Sequence, residues 1–424
     1  MINFLLKGVL RDRQRSLFPI IVVCFGVMIT CFFYSYMSGV FGEMFLNYAR
    51  YDTGHVKITT REYARLMNQL PNDLALADYT ALIDELHRDF PEIDWSARIK
   101  FGGLLDFPDS VGNTIAQSPV LGMGIDLFNP ASDEINRLKL KESLVSGRLP
   151  EHTGEILIGR QLLEGLGVHL GDQATFIGST ANGAMAITNF TIVGVSRMGI
   201  GMLDKKLIIA DFFDVQYALD MNGWTGEILG YFPDMMYNQE RAEMIKAKFN
   251  DTHYTDDDPY APVMMTLGNQ NGLGDYINLS RRFSAILITT FLVVMSIVLW
   301  NSGLISGLRR YGEMGVRLAI GESKRHIYGT LIVESILIGL IGSLIGTGIG
   351  LAFSWYLQDV GINVSGMLKG SEMLFPEVMR AKISVTSYYI GFIPGLIATL
   401  LGSSFSGIGI YKRQTANLMK DLES

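Results

Sequence analysis

The chain has 424 residues, 48% of them hydrophobic and 18% charged, with a formal net charge of −7 and two cysteines. Its mean hydropathy of +0.25 is high for a soluble protein. The acidic balance argues against a nucleic-acid surface, and so few cysteines argue against a disulfide scaffold.

The apolar residues are concentrated. Leu17–Gly42, Phe283–Leu308, Ser335–Gln358 and Ile383–Tyr411 each run without a charged side chain. A bilayer core of roughly 30 Å needs about 20 helical residues, so each run predicts a membrane span. The first run follows a basic N-terminus and could be a signal peptide. It outlasts a signal core, however, continuing through the interfacial aromatics Phe32, Phe33, Tyr34 and Tyr36, with no small-residue cleavage site. It therefore predicts a retained span. Cys24 and Cys31 lie within it, seven residues apart on one helix face, and read as small apolar residues.

Short-loop cations set the orientation. Lys7, Arg11, Arg13 and Arg15 precede the first span. Arg309, Arg310, Arg317, Lys324 and Arg325 lie between the second and third, and Lys412, Arg413 and Lys420 follow the fourth. The loop 359–382 has only Lys369, Arg380 and Lys382, balanced by Asp359, Glu372 and Glu377. Both termini are thus expected in the cytoplasm. The fold class is an α-helical membrane protein with four transmembrane helices and a large α/β extracytoplasmic domain between helices 1 and 2. The expected divisions are a cytoplasmic segment 1–16, spans 17–42, 283–308, 329–358 and 383–411, an outer domain 43–282, a cytoplasmic loop 309–328, an outer loop 359–382 and a tail 412–424.

The segment 43–282 holds 33 acidic and 20 basic residues, net −13, which suits an aqueous compartment. It has no cysteine, so its core alone must hold it. His55–Thr60 alternates like a strand, Tyr79–Phe90 has helical spacing, and Ser96–Phe107 and Pro119–Asp126 look extended. Glu155–Ile158, Gln173–Gly178, Asn189–Ser196 and Lys206–Ala210 read as further strands, with Arg160–Leu166 and Phe212–Leu219 as helices. Ile228–Phe232, the helix Gln239–Phe249 and Met264–Leu267 repeat a β-α-β pattern. The expected arrangement pairs a porter-like subdomain, 53–127 plus 226–267, with an inserted subdomain, 132–220.

Enzyme signatures are absent or weak. There is no phosphate-binding loop, no G-x-S-x-G and no H-E-x-x-H. Asp256-Asp257-Asp258 before Pro259 reads as a solvated turn. No cofactor or metal is expected on the chain. No charge lies deep in a span, which argues against an ion pathway. Gly342, Gly346 and Gly350 recur every four positions in the third span, and Gly391 and Gly395 flank Pro394 in the fourth. Such spacing lets helices approach closely in lipid, as a static or a movable packing.

The cytoplasmic loop reads Arg309, Arg310, Tyr311, Gly312, Glu313, Met314, Gly315, Val316, Arg317, Leu318, Ala319, Ile320, Gly321. It predicts a short amphipathic helix closed by Gly321. With the following I-x(6)-E-S it resembles the coupling segment of the FtsX-like permease family of ABC transporters, which includes the MacB, LolC/LolE and FtsX permeases. Met314 stands where isoleucine is usual. Leu6–Leu17 looks like the family's amphipathic N-terminal helix. Ser146–Pro150, Gly154-Glu155-Ile156, Leu166-Gly167, Gly171-Asp172 and Phe190–Val195 look like its outer-domain signature, implying a MacB periplasmic core-like domain. The tail lacks the common D-P step. Gly54–Ile58 and Arg98–Leu105 look like the LolC/LolE branch, as does a stand-alone permease of this length.

The resemblance implies a non-catalytic permease subunit in the cell inner membrane. Its partners would be a cytoplasmic ATPase dimer, which holds the ATP and Mg, a second identical or homologous permease, and a lipid or lipoprotein substrate. A periplasmic carrier or adaptor is a further partner; nucleic acid is not. Arg309, Arg310, Glu313, Met314, Gly315, Arg317, Leu318, Ala319 and Gly321 would form the ATPase contact. Extraction of a lipoprotein or other amphiphile is the leading function. The alternatives are a MacB-like efflux permease with an adaptor and outer-membrane duct, and an FtsX-like regulator of a cell-wall hydrolase.

Overall fold

The computed structural model describes residues 13–109, 111–253, 258–309, 316–317, 320–367 and 373–412. Among these, four helices are long and apolar enough to cross a membrane. The first is Arg13–Tyr48, the second Leu273–Arg309 and the third Lys324–Val360. With 36, 37 and 37 residues, each is about 55 Å long, well beyond the roughly 30 Å of a bilayer core. The fourth begins as a single turn, Val385–Tyr389, and resumes as Phe392–Lys412. Pro394 accounts for the restart: it lacks an N–H, and sits in the first turn of the new helix, where that donor is not needed. The continuous apolar run 383–411 is therefore two helices.

The described residues form two compact units. One comprises the membrane helices, from the described residues up to 41, from 278 to 362 and from 379 onward; the other comprises those within 42–277 and 363–378.

Within the membrane unit the contacts fix the direction of each helix. Gly342, Gly346 and Gly350 meet Val23, Val27 and Cys31 in the same order, so the first and third helices run parallel. Gly339 meets Thr399 and Gly395 meets Ser343, so the fourth runs against the third. Phe33 packs on Phe283 and Gly26 on Met295, so the second runs against the first. Alternating directions are what four successive crossings require.

The other unit contains β1 (Val56–Thr60), β2 (Leu76–Ala77), β3 (Asp94–Pro108), β4 (Thr114–Ile125), β5 (Leu144–Gly147), β6 (Glu155–Gly159), β7 (Gln173–Ser179), β8 (Met185–Ser196), β9 (Leu207–Asp211), β10 (Trp224–Thr225), β11 (Glu227–Tyr231) and β12 (Pro262–Thr266). Among the described residues, ten of them form one sheet in the order β12-β1-β11-β3-β4-β9-β6-β8-β5, with β7 bridging β3 and β8. β2 and β10 pair separately.

The order β12-β1-β11-β3, with helices Tyr79–Asp89 and Gln239–His253, is a split β-α-β arrangement in which β1 lies between β11 and β12 and is antiparallel to both. One face of these strands packs Val56, Ile58, Trp95 and Ile228 against Leu86, Phe90, Ile245 and Phe249 of the helices. A second core gathers Phe101, Leu105, Ile156, Phe176, Phe190 and Ile208.

The sequence divided the two subdomains between residues 127 and 132. The cores divide elsewhere, inside the β3–β4 hairpin. Asp94–Arg98 pairs with β11, whereas Leu104–Asp106 pairs with β7 and Leu121–Ile125 with β9. A strand of 15 residues is about 50 Å long, more than one core can cover, so it serves both. Hydrophobic periodicity cannot report this, because β3 keeps its alternation across the junction. The short helix Gly201–Lys206 was also missed; the expected strand Lys206–Ala210 occupies Leu207–Asp211.

Candidate functional site

Three places bear on function: the glycine seam of the membrane helices, the loop between the second and third helices, and the sheet face opposite the two helices.

The seam is defined by absent side chains. A Cβ on Gly342 would stand 2.9 Å from Val23 Cβ, one on Gly346 2.5 Å from the Cys24 carbonyl oxygen, and one on Gly350 2.9 Å from Cys31 Cβ. The glycines of the third helix therefore face the first helix. Those of the fourth reach both: a Cβ on Gly391 would lie 2.9 Å from the Val27 carbonyl oxygen, and one on Gly395 2.5 Å from Ser343 Oγ. Beside them the Cys31 thiol donates to the Ser387 carbonyl at 2.8 Å, and Ser35 Oγ donates to Ser387 Oγ at 3.0 Å. Of the first helix's share, Val23 and Val27 were not singled out from sequence, and Cys31 was read only as a small apolar residue. The signal is there, a four-residue repeat of small branched or thiol side chains, but it is hidden in a helix that is apolar all round.

Of the loop residues, Arg310, Glu313, Met314, Gly315, Leu318 and Ala319 lie outside the described residues. Arg309 ends the second helix. Ile320 and Glu322 N–H donate to the Val316 and Arg317 carbonyls, and Gly321 takes φ +97°, a backbone conformation that closes the turn at little cost only for glycine. Glu322 stands 3.9 Å from the Arg317 guanidinium and 3.6 Å from His326. Ser323 then caps the third helix by accepting from His326 N–H at 3.3 Å. In the Asp256–Asp258 run, Asp256 and Asp257 lie outside the described residues, and Asp258 accepts the Tyr260 N–H at 2.8 Å, closing a turn.

The third place is one that sequence reasoning did not single out. β1 alternates, yet all five of its residues are buried. Its apolar side faces the helices; its polar side meets a second covered layer. There Lys57, fully buried, lies 2.7 Å from Glu227 Oε2, and Lys100 lies 3.0 Å from Glu227 Oε1. Lys100 also donates to the Asp52 carbonyl at 2.8 Å and pairs with the Asp52 carboxylate. Asn271 Nδ2 donates to the other Asp52 oxygen at 2.5 Å. Alongside, Arg98 Nε donates to Glu134 at 2.8 Å, and Arg98 Nη1 donates to the Arg50 carbonyl at 2.5 Å. Arg137 pairs with Glu134 and Asp94 and lies 4.1 Å over the Tyr231 ring.

Burial pulls the Lys57 ammonium below its ordinary range against the pull of Glu227. Burial acts on Lys100 in the same sense, but Asp52 and Glu227 outweigh it and hold that ammonium above its range. Burial raises the Glu134 carboxyl, and Arg98 with Arg137 outweigh it and hold it low. Buried charges need such pairing, although Arg98 Nη2 is left without a hydrogen bond among the described residues. The sequence signal was Arg98 and Lys100 two apart on one strand face, quoted there only for resemblance.

Three of these ions, Asp52, Lys100 and Glu227, border a cavity of about 320 Å³. Asp52, Lys100, Glu227 and Asn271 form its polar end; Met67, Leu70, Met123, Met202 and Leu203 form apolar walls. Tyr48 and Tyr51, on the last turns leading from the first membrane helix, also line it.

Four apolar helices of alternating direction, packed through glycines and joined to an α/β domain between the first and second, define a polytopic membrane-protein architecture. Residues 285–415 match the FtsX-like permease C-terminal family. Over 210 residues, 48% of the chain, it is 25% identical to the lipoprotein-releasing system transmembrane protein LolC of Xylella fastidiosa. The match spans about half, 49%, of that relative's length. Over 188 residues, 42% of the chain and 28% of the relative, it is 23% identical to the macrolide export ATP-binding/permease protein MacB of Neisseria meningitidis. The periplasmic region of MacB from Actinobacillus actinomycetemcomitans is a solved neighbour at 12% identity and TM-score 0.35, covering 53% of this chain and 92% of that one.

Proposed function

We propose that the chain is the permease subunit of an ATP-driven ABC transporter in the cell inner membrane, with both termini in the cytoplasm and the domain between helices 1 and 2 in the periplasm. The FtsX-like domain over residues 285–415 carries this reading, because it takes in the loop 309–328 together with the three helices around it. The loop engages a separate cytoplasmic ATPase dimer, which supplies ATP and Mg. The glycines of the third helix pack directly on Val23, Val27 and Cys31 of the first, and both helices are longer than bilayer thickness, so a displacement at the loop is carried along them as a rigid push. A second permease, identical or homologous, completes the transporter.

The substrate of this reading is a lipoprotein or another amphiphile drawn from the inner membrane, handed to a periplasmic carrier. The LolC likeness supports it. The MacB likeness favours a second reading, efflux through a periplasmic adaptor and outer-membrane duct. A gene neighbourhood with a lone ATPase and a second permease favours the first; an adaptor and duct favour the second.

The test is reconstitution. The chain alone should hydrolyse no ATP, and with its ATPase should give substrate-dependent hydrolysis. Replacing Gly315 by Trp, or Met314 and Leu318 by Asp, should release or uncouple the ATPase and abolish transport, whereas Arg309→Lys should change little. Full transport by the Gly315 and Met314 variants would remove the loop from the coupling path.

A further inference from the structure

We propose that the cavity beside β1, β3 and β11 binds a single-chain amphiphile with an uncharged, hydrogen-bonding head. Its two ends differ in chemistry. The walls are thioether and aliphatic, from Met67, Leu70, Met123, Met202 and Leu203, and accept a flexible hydrocarbon chain. The polar end presents Asp52, Glu227 and Lys100. These pair among themselves and with Lys57, two cations with two anions. A head with net charge would find no counter-ion left over and would lose its hydration uncompensated. A neutral hydroxyl, ester or amide head meets no such penalty.

Two buried groups at the cavity have no hydrogen bond among the described residues: Glu227 Oε1, held only by its ion pair with Lys100 at 3.0 Å, and the Tyr63 hydroxyl. Tyr63 lines the cavity, is fully buried, and its hydroxyl has no hydrogen bond among the described residues. It sits on the helix Arg61–Leu66, beside Gly226, where a side chain would come within 3.3 Å of that oxygen. A buried phenol left unpaired is costly, and an acceptor on a bound head would satisfy it.

The volume of about 320 Å³ stands at the small end of ligand sites, enough for one chain and its head and too little for a multiply acylated lipid. Tyr48 and Tyr51, which also line the cavity, belong to the segment that follows the first membrane helix in the chain, and an amphiphile of the membrane is the proposed source. The inference is independent of the transport reading, since it concerns the chain without any ATPase.

The experiment uses the full chain in lipid nanodiscs with a diazirine-bearing monoacylglycerol. Photolabel should map to Met67, Met202 or Leu203. Unlabelled 1-monooleoylglycerol should displace it at a concentration at least tenfold lower than oleate or oleylamine. Met67→Trp, which fills the cavity, should lower labelling at least tenfold. Tyr63→Phe, which preserves shape, should weaken binding about fivefold, the loss of one hydrogen bond. Should Met67→Trp fail to fold, Tyr63→Phe decides. Label confined to the membrane helices, equal displacement by oleate, or unchanged binding by Tyr63→Phe would overturn the proposal.

Discussion

In the membrane helices the closest contacts occur where side chains are missing. On the inner face of the outer sheet they are made by charged side chains buried in pairs. The contrast follows from the solvent each region folds in. Lipid is as apolar as the helix surfaces, so no hydrophobic force draws helices together, and close approach of backbones must do so. Gly342, Gly346 and Gly350 provide it. The outer domain folds in water, has a hydrophobic core to hold it, and can include buried ions provided each is matched. Adding an atom is therefore the danger at the seam, and removing one the danger at the charged cluster.

That asymmetry is open to direct attack. The largest effect is expected from Glu134→Ala, which leaves Arg98 and Arg137 facing each other in a buried site. Loss of a buried partner costs about 3–5 kcal/mol, read as a fall in the denaturation midpoint of the outer domain. A change below about 1 kcal/mol would mean the charges are hydrated, and the comparison would fail. Next is Gly346→Leu, whose Cβ alone would stand 2.5 Å from the Cys24 carbonyl oxygen. Overpacking of this kind costs about 3 kcal/mol, measured as lost resistance of the helix bundle to denaturing detergent while the outer domain unfolds as before.

A smaller effect sharpens the outer-domain side through pH. Burial pushes the Asp204 carboxyl up to about 6 from 3.8, against the Met198 and Gly199 N–H groups that donate to it. Its stability contribution is full below pH 3.8 and is lost as pH rises through 6. Burial pushes the His55 imidazole down to about 4 from 6.5, and its Nδ1 accepts the Phe232 N–H at 2.8 Å. Its contribution is full above pH 6.5 and is lost as pH falls through 4. Between pH 4 and 6 the two oppose each other. Asp204→Asn should remove one of them, so that stability falls on acidification more steeply than in the parent by about 1.4 kcal/mol per pH unit. Midpoints taken by tryptophan fluorescence at half-unit pH intervals would show it, and parallel curves would refute it.

The smallest effect is a control on the seam. A Cβ on Gly348 would meet nothing within 4 Å, although it lies on the same helix between Gly346 and Gly350. Gly348→Ala should change bundle stability by no more than about 0.5 kcal/mol. A loss equal to that of Gly346→Leu would show that glycine content, not the facing position, is what matters.

Much of this was legible in one dimension. The four spans are runs of uncharged residues, and run length is a local property that no tertiary contact alters. Gly321 was read as a helix terminator, and its positive φ is the reason only glycine serves there. The loop 309–321 was legible as a resemblance to a coupling segment. Most of them, Glu313, Met314 and Gly315 among them, lie outside the described residues, so their role stays with the reconstitution experiment.

What the sequence determined by itself was the count of spans, the uncharged character of their centres and the mixed composition of the domain between the first two, because each depends on residue type along the chain. Only the tertiary structure decided that the glycines of the third helix face the first helix, that β3 crosses from one core to another, and that Lys100, Asp52 and Glu227 converge at a cavity with Lys57 paired behind them. These depend on which strands and helices become neighbours. A glycine looks the same whichever helix fills the space beside it, and a lysine in an alternating strand looks exposed until a second layer covers its face. Alternation tells two faces of a strand apart; it does not say whether the polar one meets water.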